Sequence, residues 1–217
     1  MNGHAAPDEL LLDWATGALP AGPSLAVALH VALDPLARHS AQRLGEVGGA
    51  LLEGEAEAAF DEGALERALA RLDGVGVEPQ PPRATTRPGF EWAPPVLLPY
   101  LESNVDWRRA FGGFDEIRLS LPGDNHRVSL LRLAPGRGLP VHRHVGAEFT
   151  VILQGGYTDV TGNYGVGDFA VGPGPEQHEP VADPGPPCIA LIVLEQPIVL
   201  TGPWGRWLNP LVRRGLI

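Results

Sequence analysis

The sequence of 217 residues contains a single cysteine and no lysine. With Cys188 alone, no intrachain disulfide can form, and a zinc site built from several thiolates is excluded. No apolar run approaches the roughly 20 residues of a membrane-spanning helix. The first residues lack the basic region and apolar core of a signal peptide. We therefore expect a cytoplasmic protein without membrane contact.

Positive charge is scarce in the first third of the chain. Residues 1–75 carry twelve acidic side chains and four arginines, a net charge of −8, whereas the remainder carries fourteen and twelve. Because contacts to phosphates need a positive surface, direct nucleic-acid binding by this part is not expected. An acidic surface is better suited to a basic protein partner.

The spacing of apolar residues predicts four helices within residues 8–73. Their sequences are DELLLDWA, SLAVALHVAL, PLARHSAQRLGEVGGALLE and EGALERALARL. The last two carry apolar stripes at helical spacing, among them Val47 and Leu51 in one and Leu65 and Leu69 in the other. Four helices of this length can cover one another but leave little core, so we expect a bundle that needs a partner for full stability.

The composition changes after the helices. Six prolines and no hydrophobic period over residues 74–95 are typical of a linker, which we place at 76–98. Beyond it, short apolar segments such as EIRLSL, RVSLLRL, EFTVIL and CIALIVL alternate with turn sequences, which predicts an all-β sandwich or barrel. The predicted class is α+β in two domains, with helices over 1–75 and a β domain over 99–217.

Four metal-ligand side chains occur at suggestive spacings in the β half. His142 and His144 project from the same face of a strand because side chains alternate along it. Glu148 follows a short turn, and His178 ends a later strand-like segment. Three imidazole nitrogens and one carboxylate oxygen suit zinc, iron, manganese or nickel. The sequence therefore predicts a mononuclear metal site.

The glycines around these ligands strengthen that interpretation. Five residues separate Gly136 from His142, and six separate Glu148 from Gly155. This pattern resembles the first cupin motif, and Gly167 with the segment ending at His178 resembles the second. The resemblance implies a metal-binding cupin jelly-roll barrel. The cupin fold alone does not define a function.

The order of segments adds a second resemblance. The stretches DELLLDWATGALP, ALHVAL and VGGALLE, a linker, a cupin and HEPVADPG together resemble the ChrR-type anti-sigma factors. That family implies a four-helix anti-sigma domain, here residues 1–75, which sequesters an extracytoplasmic-function (ECF) sigma factor. It also implies a cupin domain that releases the sigma factor on exposure to singlet oxygen or organic peroxide. Zinc is the implied metal in the cupin domain, with Fe²⁺, Mn²⁺ and Ni²⁺ as alternatives.

The same resemblance implies a second zinc in the helical part, at a His-x3-Cys-x2-Cys run and an early histidine. His30 matches the histidine of that run, but Asp34 and Ala37 occupy the cysteine positions, and His4 lies one residue from the early position. A weak site of His30 and Asp34 with His4 or His39 is one interpretation. We favour the other, in which Asp34 caps a helix that begins at Pro35 and zinc is absent here.

The sequence leaves three functions open, the weakest of which is a plain ligand-binding cupin with no regulatory role. The leading hypothesis is an anti-sigma factor that performs no catalytic turnover. The alternative is a metal-dependent cupin dioxygenase with a degenerate helical module, which the missing zinc cysteines favour. In either case Cys188, on an apolar strand, is interpreted as a small buried core residue.

Overall fold

The computed structural model describes residues 4–74, 88–101, 105–110, 113–172, 177–202, 207 and 209–213. The four predicted helices are all present in the first third of the chain: α1 (Asp8–Ala15), α2 (Ala21–Leu33), α3 (Pro35–Glu53) and α4 (Ala64–Gly74). A 3-10 turn over Leu98–Tyr100 and the short helix α5 (Asn209–Arg213) are the other helical segments in these ranges. Within them, no helix combines the length and the hydropathy needed to cross a bilayer.

The second half of the described chain is built from eleven antiparallel strands. In chain order they are β1 (Arg108–Arg109), β2 (Asp115–Leu119), β3 (Arg127–Leu133), β4 (His142–Arg143), β5 (Glu148–Gln154), β6 (Gly156–Asp159), β7 (Gly162–Gly165), β8 (Phe169–Val171), β9 (Val181–Ala182), β10 (Cys188–Leu194) and β11 (Val199–Leu200). They form a six-stranded sheet in the order β1-β2-β3-β10-β5-β8, a three-stranded sheet β7-β6-β9 and a pair β11-β4. The predicted all-β half and the α+β class are confirmed at this level.

Two glycines of the β half occupy turns that other residues would strain. Gly155, between β5 and β6, has φ +66°, and a Cβ there would lie 2.8 Å from the Pro187 carbonyl oxygen. Gly167, before β8, has φ +91° and lies against Leu33 of α2. Because L side chains rarely adopt positive φ, both positions favour glycine. These are two of the glycines on which the cupin resemblance depends.

Helix α2 packs directly on the six-stranded sheet. Its sequence is apolar on nearly all sides, and Leu25, Ala26 and Leu29 share one hydrophobic core with Val151 of β5 and Leu191 of β10. Leu29 and Leu191 are completely buried, and burial of a leucine contributes about 2 kcal/mol. Helices α1 and α3 contact the same helix and each other. The helical and β parts therefore share a continuous core.

Helix α4 departs from the expected four-helix bundle. Leu65, Leu69 and Leu72 form one stripe on α4, yet they are 66%, 51% and 67% exposed. On α3, Val47 and Leu51 are similarly exposed. Helices α1–α3 bury their contacts because they pack together and, through α2, on the sheet. Within the described ranges, the apolar faces of α4 and of the second half of α3 are left uncovered.

The predicted linker over 76–98 also needs correction at its end. Residues 76–87 lie outside the described ranges. Phe90, Ala93 and Leu97 are buried in the core that α2 shares with the sheet. Aromatic and aliphatic side chains interrupt the prolines there, and their burial fixes residues 88–98 against the rest of the protein.

Asp34 has the capping role favoured by the sequence. Its backbone is extended, its Oδ1 accepts a hydrogen bond of 2.7 Å from the Ala37 amide, and Pro35 is the first residue of α3. The side chain thus satisfies one of the amides that a helix start leaves unpaired.

We expect Asp34→Ala to lower the free energy of unfolding by about 1 kcal/mol, the usual contribution of a cap. Urea unfolding with and without a chelator measures this, and Asp34→Asn, which can still cap, serves as the matched control. If the chelator abolishes the difference in unfolding free energy between Asp34→Ala and the unaltered protein, Asp34 is a metal ligand instead.

Glu116 of β2 forms a buried charge cluster at one side of the β half. Its Oε1 accepts hydrogen bonds from Arg127 at 2.8 Å and from Ser129 at 2.7 Å. Its side chain is 10% exposed. Burial alone would raise the pKa of Glu116, but Arg127, Ser129 and Arg118 lower it on balance. The ionised form is therefore the one that stabilises the fold.

Glu116→Gln should cost about 1–3 kcal/mol at pH 7, as expected for hydrogen bonds to a charged group. Because the folded-state pKa is lowered, this contribution is complete above the unfolded-state value and is lost as the pH falls through the folded-state value. Denaturant unfolding of both proteins between pH 3 and 7, a range that spans the reference carboxyl pKa, should show the difference shrinking in acid. A difference that grows in acid would contradict this.

Candidate metal centre

The four predicted ligands converge at one place in the β half. His142 lies on β4, His144 follows that strand, Glu148 begins β5, and His178 pairs with His142 through two backbone hydrogen bonds. All four residues are buried, and each can present one ligand atom so that these atoms lie within 4.8 Å of one another. This is the one such cluster of three or more ligand residues in the described ranges.

Hydrogen bonds fix which nitrogen two of the histidines present. The Nδ1 of His142 lies 2.7 Å from the Pro140 carbonyl oxygen, and the Nδ1 of His178 lies 3.1 Å from Asp159 Oδ2. A carbonyl and a carboxylate accept only, so each Nδ1 is the donor and each Nε2 carries the lone pair. Such partners orient metal-bound histidines.

The free lone pairs face one another. His178 Nε2 lies 3.1 Å from His142 Nε2 and 2.8 Å from His144 Nε2. His144 Nδ1 and Glu148 Oε2 approach to 2.6 Å, yet both are buried without a hydrogen bond of proper geometry. A buried carboxylate oxygen without a hydrogen bond is costly, and a cation beside it removes that cost. The residues present therefore fit a metal ion.

The protonation states agree with this role. Burial and the neighbouring His178 and His144 lower the pKa of His142 to about 4, so its ring is neutral at physiological pH. Burial alone would raise the pKa of Glu148, but the adjacent histidines and Thr150 lower it on balance. Neutral imidazoles and an ionised carboxylate are the forms that bind metals.

Sequence reasoning missed the residues that orient the ligands. Asp159 ends β6, and burial alone would raise its pKa, but hydrogen bonds from Thr161 and His178 lower it on balance. Thr150 donates to Glu148 Oε1 at 3.0 Å. In the sequence Asp159 is an ordinary residue of a polar turn, and only the pairing of the strands brings it to His178.

The ligands border a largely apolar pocket that is partly open to the solvent. A cavity of about 130 Å³ has apolar walls that include Leu131, Ile192 and Tyr157. Cys188 also lines it, is 2% exposed, and has its pKa raised to about 12 by burial. Its thiol stays protonated, which agrees with the expected structural role. A metal here would act as a Lewis acid beside a small apolar chamber.

The helical residues form no second metal site in the described chain. His30 is buried with both ring nitrogens hydrogen-bonded, to Gly167 and Ala6, and the Asp34 carboxylate caps α3. His4 stacks on Tyr164 with ring centroids 4.2 Å apart, and His39 is exposed. In the part of the chain that the structure describes, His30, Asp34 and His4 have these other partners, and the four residues are not grouped as the alternative site would require.

Antiparallel strands that bring three histidines and a glutamate together, packed against an N-terminal group of helices, define a two-part α+β protein with a cupin-type candidate metal site. Residues 102–197 match the family described as the ChrR cupin-like domain. The chain is 36% identical over 199 residues to the anti-sigma-E factor ChrR of Cereibacter sphaeroides, covering 90% of this chain and 91% of that protein. The protein belongs to the ChrR family.

Solved structures give the same relationship. The structure is similar to that of ChrR from Rhodobacter sphaeroides, solved in complex with SigE, with a TM-score of 0.72 and 34% identity over 88% of this chain and 98% of that one. An acetylacetone dioxygenase from Acinetobacter johnsonii matches at 13% identity and a TM-score of 0.41, covering 48% and 77% of the two chains. The second match is too distant to bear on activity.

Asp159→Asn should weaken metal binding about 10- to 100-fold, as is usual when the hydrogen-bond partner of a ligating histidine is lost. Competition between the purified protein and a chromogenic zinc chelator measures this. Asp183→Asn is the matched control, because the Asp183 carboxylate accepts from Thr158 and Asn163 instead. Equal affinities for both variants would show that Asp159 does not orient His178.

Proposed function

We propose that this protein is a cytoplasmic anti-sigma factor that sequesters an ECF sigma factor through residues 1–75. The exposed apolar residues of α3 and α4 are the observation that carries this proposal. The sequence and structural similarity to ChrR, which has been solved in complex with SigE, supports the proposal. No direct contact with nucleic acid is required, because the partner protein supplies the DNA-binding surface.

The proposed binding surface lacks a partner within the described chain. It comprises the exposed apolar set of α3, α4 and the segment between them: Leu51, Leu52, Phe60, Leu65, Leu69 and Leu72. Each is at least half exposed, and Phe60 is 91% exposed. Contiguous apolar residues on a helix face mark protein interaction sites when the fold leaves them uncovered.

The charge around this set favours a basic partner. Glu53, Glu55, Glu57, Asp61 and Glu62 are exposed beside it, and residues 1–75 carry a net charge of −8. Apolar anchors give most of the affinity of such an interface, while charge complementarity selects the partner and speeds association. A sigma factor presents basic surfaces for DNA, which an acidic module can cover.

The metal centre is proposed as the sensory part, with Zn²⁺ at His142, His144, Glu148 and His178. Four protein ligands can close a tetrahedral zinc site, which suits a regulator, whereas Fe²⁺, Mn²⁺ or Ni²⁺ in octahedral geometry would keep positions open for chemistry. Oxidation or exchange of these ligands by singlet oxygen or organic peroxide would disturb the strands that hold α2. We take the three sheets as the walls of the cupin jelly roll.

A second candidate function is that of a cupin dioxygenase. The apolar cavity beside the four ligands favours it, because a small organic substrate fits a chamber next to an open metal position. Metal analysis of the purified protein separates the two functions. Tightly bound zinc without oxygen uptake supports the regulator, and bound ferrous iron with substrate-dependent oxygen consumption supports the enzyme.

The double variant Leu65→Asp/Leu69→Asp should weaken binding of the sigma factor encoded nearest to this gene by about 100-fold or more, since apolar anchors contribute on the order of 2 kcal/mol each. Both side chains are exposed, so the fold should persist by circular dichroism. Calorimetric titration of the co-purified partners gives the affinity.

Val160→Asp is the matched control, because Val160 is 79% exposed but lies in the β half. It should bind the sigma factor as the unaltered protein does. Wild-type affinity in the α4 double variant, or an equal loss in the control, would reject α4 as the binding surface.

A further inference from the structure

His30 joins three separate parts of the chain. It lies near the end of α2 and is 1% exposed. Its Nδ1 is 2.7 Å from the Gly167 carbonyl oxygen, and its Nε2 is 3.2 Å from the Ala6 amide nitrogen. A carbonyl only accepts and an amide only donates, so the ring must be the neutral tautomer with the proton on Nδ1. We call these three residues the His30 junction.

The N-terminal segment is fastened at the same turn by a second set of contacts. The His4 amide donates to Asp168 Oδ1 at 3.0 Å, and its carbonyl accepts from the Phe169 amide at 2.8 Å. The His4 ring stacks on Tyr164 of β7. Residues 4–6 therefore contact both α2 and the turn that leads into β8.

Strand β8 leads from this turn to the metal centre. Phe169–Val171 pairs with Phe149–Val151 of β5. The Gly172 amide donates to the Glu148 carbonyl at 2.9 Å, and the Gly167 amide donates to the Ile152 carbonyl at 2.9 Å. A Cβ on Gly172 would lie 2.9 Å from the Glu148 Cβ. The short strand is thus packed against a candidate metal ligand at one end and joined to His30 at the other.

We propose that His30 is a positioning residue that couples occupancy of the metal centre to the helical part of the protein. Glu148 takes a defined position when it ligates a metal, and β8 follows it through its backbone pairing. The hydrogen bonds of the His30 junction then restrict the positions of α2 and of residues 4–6. Its consequence for sigma release rests on the proposed function, but the coupling itself requires only metal binding.

The test is hydrogen–deuterium exchange of the full chain with and without Zn²⁺ as the only added ligand. Zn²⁺ should slow exchange near residues 142–150 and also in peptides covering residues 4–12 and 24–33, by about fivefold or more, the lower end of ordinary coupling between sites. His30→Phe keeps an aromatic ring but neither hydrogen bond. His30→Asn is smaller and keeps a polar group beside Gly167.

In both variants, zinc should still slow exchange in residues 142–150. In residues 4–12 and 24–33, however, the exchange rates with and without zinc should differ by less than about twofold, which is below ordinary coupling between sites. His39→Asn, at an exposed histidine on α3, should behave as the unaltered protein does. A merely structural role for His30 would raise exchange equally with and without zinc, leaving the zinc-dependent difference intact, and that result overturns the coupling.

Two further outcomes separate this proposal from the proposed function. If zinc protects only the β half of the unaltered protein, the coupling is wrong and the metal site stands. If zinc protects no peptide at all, the metal site and the coupling both fail. A sigma factor that does not bind would refute the anti-sigma function while leaving the exchange result unaffected.

Discussion

The packing of α2 on the six-stranded sheet is the contact on which the rest of the structure depends. The helix has no polar face, and Leu29 is completely buried against strands β5 and β10. Helices α1 and α3 are held in place because they pack on α2. The last turn of α2 carries His30 to the turn before β8. One apolar helix therefore connects the helical part, the N-terminal segment and the β half.

The metal centre depends on the same strands. β5 carries Glu148 at its first residue and supports α2 through Val151. His142 and His178 are oriented by acceptors that lie outside the ligand set, Pro140 and Asp159, and burial lowers the pKa of His142 so that its ring is neutral. Their lone pairs meet in a buried space, where they would repel one another without a cation. A change at these four residues would therefore act on the strand that also supports the helices.

Local sequence patterns predicted the helices, the strands, the cap at Asp34 and the four candidate ligands that the fold brings together, because spacing and single-residue chemistry govern those features. They could not predict Asp159 or the His30 junction, whose partners are distant in the chain and meet only when the sheets form. The bundle was also misjudged at α4. Periodicity identifies an apolar face such as Leu65, Leu69 and Leu72, but does not say whether that face is covered within the chain or by another protein.

In the proposed function, the uncovered leucines bind the partner and the buried histidines bind the metal, and a shared core joins the two halves. We propose that the state of the metal centre changes the affinity of the helices for a sigma factor. The most direct measurement is the dissociation rate of that complex with the zinc-loaded and the metal-free full chain. We expect different dissociation rates for the two forms. Identical rates, with zinc occupancy verified, would contradict it.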